Sequence, residues 1–359
     1  SIFYEIEFAK YILPYHCMGD EMKPISFLYI NIDINLCSDM EEIARNILIA
    51  KQYKNDEVEA LQNPLKTLIE HKIASIPVQK WEVIFSKEFR CPKGYETALK
   101  KLTRKIEIGE DINPFLSTRR NKTDMKDSLL YDWGIYHLHL TNRYNKNGYP
   151  KRSDYLLFVF CDKEKMYFIQ VYPHHPNPFA KEELLRIIAH NWPALISRFC
   201  LDNGHLTETI TDEGRALLRK NGVLSAVEFD DKIYFPLGGG YASDGSSILA
   251  VREADDFWNQ MKLLERWILQ NQSFMRREML EFIPESDFSE MLHFKLWKFS
   301  HKKISVFEIK NCVLMEYDLS EQVCKFIFLG MVPDIHFDNM YGRQAFPYWA
   351  EQAIGGYTI

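Results

Sequence analysis

The sequence predicts a mixed α/β protein of the α+β kind, with a small antiparallel-sheet domain at its centre. Two observations lead there. Apolar residues recur at helical spacing in some stretches and as short β-branched and aromatic runs in others, and these runs are joined by short polar turns. At 359 residues the chain is longer than one core usually spans, and its 46% apolar and 26% charged residues are those of an ordinary globular protein. Four consecutive units are expected: an N-terminal α/β unit over 1–90, a central basic antiparallel-sheet domain over 91–178, a mainly helical segment with a hairpin over 179–282, and a strand-rich C-terminal unit over 283–359.

In the first unit, Ile25 to Ile34 reads as a strand whose second half alternates. Ser38 with Glu41 three residues on forms a capping box, and Ile43, Ala44, Ile47 and Leu48 continue at helical spacing. Pro64 suits the first turn of a second helix carrying Leu65, Leu68 and Ile69. The second unit opens at the turn beginning with Cys91, followed by a basic helix over Thr97 to Ile108 and a polar stretch from Ser117. Three strands follow at Ile135 to Leu140, Tyr155 to Cys161 and Met166 to Tyr172. The last two make a tight antiparallel hairpin around the four polar residues that start at Asp162.

The third unit carries helices over Glu182 to Ile188 and Thr211 to Lys220, the latter stopped by Asn221 and Gly222. A hairpin over Val223 to Phe235 folds at Asp230 and Asp231. Helix, helix, hairpin is the order of a winged helix, but the match is too loose to carry a function. The glycine-rich stretch Leu237 to Ser247 fits neither nucleotide-loop pattern and is expected to be a mobile surface loop. One long amphipathic helix is expected over Ala254 to Phe282, with Phe257, Met261, Leu264 and Ile268 forming a core stripe. Strands at Ile304 to Ile309, Cys312 to Tyr317 and Phe326 to Met331 complete the chain, and an aromatic tail around Phe346 to Trp349 is expected to pack onto a domain or a partner.

Composition excludes several classes. The seven cysteines are scattered with no C-x-x-C pair, which fits a reducing, cytoplasmic location and argues against a zinc clip. No apolar run reaches the roughly 18 residues of a membrane span, and no basic-then-apolar leader is present, so neither a membrane location nor secretion is expected. A net charge of −6 argues against a chain-wide nucleic-acid surface. Between Lys100 and Arg152, however, twelve Lys and Arg face six Asp and Glu, and a local excess of that kind is the usual footprint of a polyanion, or else a solvated face.

The chemistry gathers in the same stretch. Residues two apart on a strand face the same side, so His137 and His139 project together, and His174 and His175 end the third strand of the same expected sheet. With the basic residues around them they make a metal-free ribonuclease site conceivable: histidine as base or acid, and Arg or Lys over the phosphate. In this reading His137, His139, His174, Arg119 and Arg120 are catalytic. Lys122, Arg143, Tyr144, Tyr149, Lys151, Arg152, Tyr172 and His175 bind the RNA, the tyrosines by stacking on bases. No cofactor is expected.

The order of basic helix, polar loop, strand, basic loop and hairpin ending in a polar cluster resembles the RelE/ParE-type toxin fold, over roughly 80 of the 359 residues. That resemblance implies a metal-independent endoribonuclease of toxin or defence-effector type that acts on messenger RNA, with a ribosome or an antitoxin-like protein as partner. The loop joining the first two strands is longer here than in that family, and no single motif is diagnostic. Two further readings stand beside it. His137-Leu-His139 also resembles the metal-binding pair of HUH single-strand nickases, which with His174 or His175 could hold a divalent metal, although no nucleophile helix of the Tyr-x-x-x-Lys kind follows. The third is a non-enzymatic scaffold that binds nucleic acid or protein, its histidines being half-buried structural residues.

Overall fold

The computed structural model describes residues 31–117, 122–124, 126–319 and 323–328. It is an α+β protein with three sheets among those residues. The chain runs through β1 (Asn31–Ile34), α1 (Leu36–Ala50), α2 (Asn55–Glu59), α3 (Pro64–Ile73), β2 (Glu82–Phe85) and α4 (Glu96–Ile108). Next come α5 (Ser128–Trp133), β3 (Ile135–His139), β4 (Tyr155–Asp162), β5 (Lys165–Pro173), α6 (Glu182–Asn191) and α7 (Pro193–Ile196). The last third holds β6 (Cys200–Asp202), α8 (Asp212–Lys220), β7 (Val227–Phe229), β8 (Lys232–Tyr234), α9 (Ile248–Gln270), α10 (Gln272–Leu280) and β9 (Met291–Phe299). It ends with β10 (Lys303–Glu308), β11 (Val313–Asp318) and β12 (Val323–Phe328).

Local chemistry sets most boundaries. Helix α1 starts before the expected capping box, because the Asn35 side chain accepts from the Ser38 N–H at 3.0 Å and the Glu265 carboxylate accepts from the Leu36 N–H at 2.6 Å. Ser38 is thus inside the first turn, not its cap. Asn63 and Pro64 open α3 as cap and first residue. The β4–β5 hairpin pairs Asp162 with Lys165, so its turn is Lys163-Glu164 alone. Asp230 and Asp231 both adopt left-handed backbone, as a tight β7–β8 turn requires. The expected long helix is two helices, divided at Asn271, whose side chain donates to the Trp267 carbonyl at 2.8 Å. The glycine-rich stretch is not a free loop. Gly238 N–H donates to the Asp132 carbonyl at 2.8 Å, and a Cβ there would sit 2.6 Å from the Tyr131 carbonyl and closer still to that of Leu130. Only glycine fits that approach to α5.

The cores do not follow the linear blocks. β1 lies parallel beside β9 in a sheet ordered β1-β9-β10-β11-β12, and residues of α1, α3, α9 and α10 share one hydrophobic core with it. Residues 31–69 are therefore packed with residues 250–326. Apolar periodicity shows which face of α1 or α9 must be covered, not which distant element covers it. The second sheet is ordered β2-β5-β4-β3, with β2 parallel to β5 and the other pairs antiparallel. One face, with Leu138, Leu157 and Phe168, packs on α4. The other, with Ile135, Leu156 and Phe158, packs on α5, α6 and the β7–β8 hairpin. β6, β8 and β7 form a small third sheet. Residues 25–30 of the first expected strand, residues 329–331 of the last, and the aromatic tail lie outside the described residues. Among the described residues no helix is long and apolar enough to cross a membrane.

Candidate functional site: a histidine cleft at the end of the central sheet

Strand alternation puts Ile135, His137 and His139 on one face of β3. Ile135 joins the core beneath α5 and α6, and the row continues through the two histidines into an open cleft of about 860 Å³. His174 follows the last residue of β5, and its N–H extends the ladder to the Asp154 carbonyl at 2.7 Å. β3 and β5 flank β4, so the third strand does not return beside the first. The rings nevertheless meet across the strand between them: His139 and His174 stack with centroids 6.2 Å apart and planes 10° from parallel. Phe179 stands edge-on to both His137 (5.0 Å) and His174 (5.8 Å). The three expected histidines thus line one cleft, together with Arg152.

Two helix ends supply the walls. Asp127 caps α5, its Oδ1 accepting from the Leu130 N–H at 3.0 Å, while its Oδ2 faces His137 Nδ1 at 3.8 Å. That ring nitrogen is buried and has no hydrogen-bond partner. The C-terminal end of α8 brings Arg219 and the exposed Lys220. Arg219 is committed to the fold: Nε and Nη2 donate to Asp132 Oδ2 at 2.9 and 2.7 Å, Nη1 donates to the Phe179 carbonyl, and the guanidinium lies 4.2 Å over Trp133. It fixes the segment whose ring packs edge-on against His137 and His174. On the far rim Asp244 is held down to about 2, first by the Ser246 N–H, then by the Ser246 hydroxyl and Lys66. Lys126 reaches Glu70 at 3.5 Å and Ser246 at 3.3 Å.

Two of the rings, His139 and His174, are shifted toward the neutral form. Burial pushes His139 down to about 4, against a bond to Ser153, and the charges of Arg152 and the other two histidines act the same way as burial. Its Nδ1 lies 3.3 Å from the Ser153 N–H and 3.4 Å from the Ser153 carbonyl. His174 is also lowered, by burial first and then by His175, whose Nε2 is 3.2 Å from its Nδ1. Neutral imidazoles beside cations form a site that accepts protons and tolerates an anion.

The remaining expected residues are dispersed. Arg119 and Arg120 lie outside the described residues. Lys122 lines a separate small crevice near Tyr53, Glu70 and His71. Arg143, Tyr144, Tyr149 and Lys151 stand exposed on the β3–β4 connection, beyond the cleft lining. Tyr172 is not in the lining; its ring packs on Phe158 beneath Lys181, and burial raises its hydroxyl above the ordinary range. His175 is exposed beside His174. Sequence reasoning missed Lys126, Asp127, Phe179, Lys220 and Asp244. Only Asp127 left a signal, as the residue just before a short apolar helix.

Among the described residues no three His, Cys, Asp or Glu side chains are grouped so as to hold a metal ion. No family model matches the chain, and no curated protein or solved structure matches it either.

Proposed function

We propose that the protein binds RNA and cleaves it at the histidine cleft as a metal-independent endoribonuclease, in the manner of a toxin or defence effector, with a ribosome or an antitoxin-like protein as partner. The observation that carries this reading is the meeting of His137, His139 and His174 in one cleft with Arg152, Lys126 and Lys220. His137 is the base: Asp127 faces its Nδ1, leaving Nε2 to take the proton of a ribose 2′-OH. The 2′-oxygen then bonds to phosphorus, the 5′-oxygen leaves, and His174 protonates it. Arg152 and Lys220 face the phosphate charge. Because His174 is held toward its neutral form, its imidazolium is a ready proton donor but scarce at neutral pH, so cleavage is fastest below pH 7.

The test is incubation of a fluorescent oligoribonucleotide with the 359-residue chain in excess EDTA, with product ends read by mass spectrometry. Ends of 2′,3′-cyclic phosphate and 5′-hydroxyl are expected. Intact RNA at stoichiometric protein, or cleavage that requires added manganese or zinc, overturns the mechanism. Binding without cleavage leaves a nucleic-acid scaffold.

A further inference from the structure

The connection between β3 and β4 is a formed arm. From Thr141 to Arg152 it contains four Lys and Arg, two Tyr and no acidic residue. Its shape comes from its own bonds. Lys151 N–H donates to the Arg143 carbonyl and Asn145 N–H to the Tyr149 carbonyl, each at 2.8 Å, and Tyr144 bridges Pro150. The tip closes on the Asn145 side chain, which accepts from the N–H groups of Asn147 at 3.0 Å and Tyr149 at 2.9 Å, with Gly148 in left-handed backbone. Tyr144 touches Phe115 edge-on and remains 42% exposed; Tyr149 is 51% exposed. Among the described residues no carboxylate pairs with Arg143, Lys146 or Lys151, all of which are exposed.

The arm also ends at the cleft. Arg152 lines it, and the next residue, Ser153, places its N–H 3.3 Å from His139 Nδ1. Arg143, Lys146 and Lys151, interleaved with the open faces of Tyr144 and Tyr149, match one kind of polyanion. A duplex hides the faces of its bases in its own stack, whereas a single strand offers a face to each tyrosine and a phosphate to each cation.

We propose that this arm docks a single-stranded segment of RNA and leads it into the cleft, so that the substrate is single-stranded. What it leads to rests on the nuclease reading; the docking does not. The experiment is fluorescence anisotropy with a labelled, unstructured oligoribonucleotide and with the same sequence as a blunt duplex, using the whole chain and its His137→Ala variant, across a salt series. The single strand is expected to bind at least tenfold tighter than the duplex. Tyr144→Ala with Tyr149→Ala is expected to weaken it by tenfold or more, since each base stack on an aromatic ring is worth roughly that factor. Lys146→Glu with Lys151→Glu is expected to flatten the salt dependence by about 0.7 in log–log slope per lost phosphate contact.

Equal affinity for duplex and single strand overturns the proposal, as does a tyrosine pair whose loss changes nothing. Displacement of the RNA by polyglutamate, together with indifference to the tyrosines, assigns the arm to an acidic protein segment and overturns it too. The two readings fail separately. Tight, tyrosine-dependent binding without cleavage sinks only the nuclease. Cleavage whose KM ignores the arm variants sinks only the docking.

Discussion

Glu308 and Asp39 at the five-stranded sheet and His137 at the cleft use their polar atoms in opposite ways. Glu308, fully buried in β10, accepts from the N–H groups of His293 at 2.7 Å, Lys310 at 3.1 Å and Asn311 at 2.6 Å. Asp39 accepts from the Leu296 N–H at 2.9 Å and pairs with Lys295 at 2.8 Å. Each carboxylate closes a turn or ties a helix to a strand. At the cleft, His137 Nδ1 is left without a partner. An unpaired buried polar atom costs about 1–3 kcal/mol, which packing elsewhere must offset. Glu308 and Asp39 spend their bonds on the fold, whereas His137 faces the open cleft with a ring nitrogen unspent.

The contrast between the two regions is sharpest at His137. His137→Ala is expected to lower RNA cleavage by about 10²–10⁴-fold, the usual worth of a proton-transfer group. The melting temperature should fall only modestly, because no hydrogen bond is lost and only ring contacts with Phe158 and Phe179 go. A large drop in melting temperature with cleavage intact would make His137 a structural residue. The next largest effect lies in the other region: Glu308→Ala strands the buried Asn311 amide and the part-buried amides of His293 and Lys310, and is expected to cost about 2–3 kcal/mol in urea unfolding, with kcat/KM of the folded fraction unchanged.

The sequence made one of these regions far more legible than the other. His137 and His139 could be read as neighbours because strand alternation is a local rule, and His174 because the hairpin that carries it is local too. The stripe Phe257, Met261, Leu264 and Ile268 was equally plain, and all four are core residues. Its partners were not: α1 and β1 lie some two hundred residues away, and nothing in periodicity names a distant surface. Lys126, Lys220 and Phe179 escaped for the same reason. Lys126 and Phe179 sit in connections and Lys220 at a helix end, where no period applies, and tertiary packing alone brings them together. Strand β2, four residues of Glu-Val-Ile-Phe, is too short to alternate visibly and is fixed by pairing with β5.

Acid should separate the regions by a smaller amount. His139 carries a folded value of about 4 against an unfolded value of 6.5, so between those pH values the unfolded chain binds the extra proton. Its contribution is fully present above pH 6.5 and is lost as pH falls toward 4. Water reaching the ring from the cleft trims the effect to on the order of 2 kcal/mol. Urea midpoints measured across that range should fall with pH in the native chain and fall less in His139→Gln. Identical slopes would mean that the ring is solvated in the fold.

The smallest effect is the most discriminating, because one side chain belongs to both categories. Asp127 caps α5 with Oδ1 and faces His137 with Oδ2. Asn and Asp cap equally well, so Asp127→Asn keeps the acceptor for the Leu130 N–H and should change stability by less than about 0.5 kcal/mol. Its amide, however, turns an N–H toward His137 Nδ1. That nitrogen must then accept, which moves the ring proton to Nε2, the atom that has to take the 2′-OH proton. At 3.8 Å the bias is weak, and a fall of about tenfold in kcat with KM unchanged is expected. A loss of stability with unaltered kcat would return Asp127 to the fold alone, and with it the claim that the cleft keeps its polar atoms for chemistry.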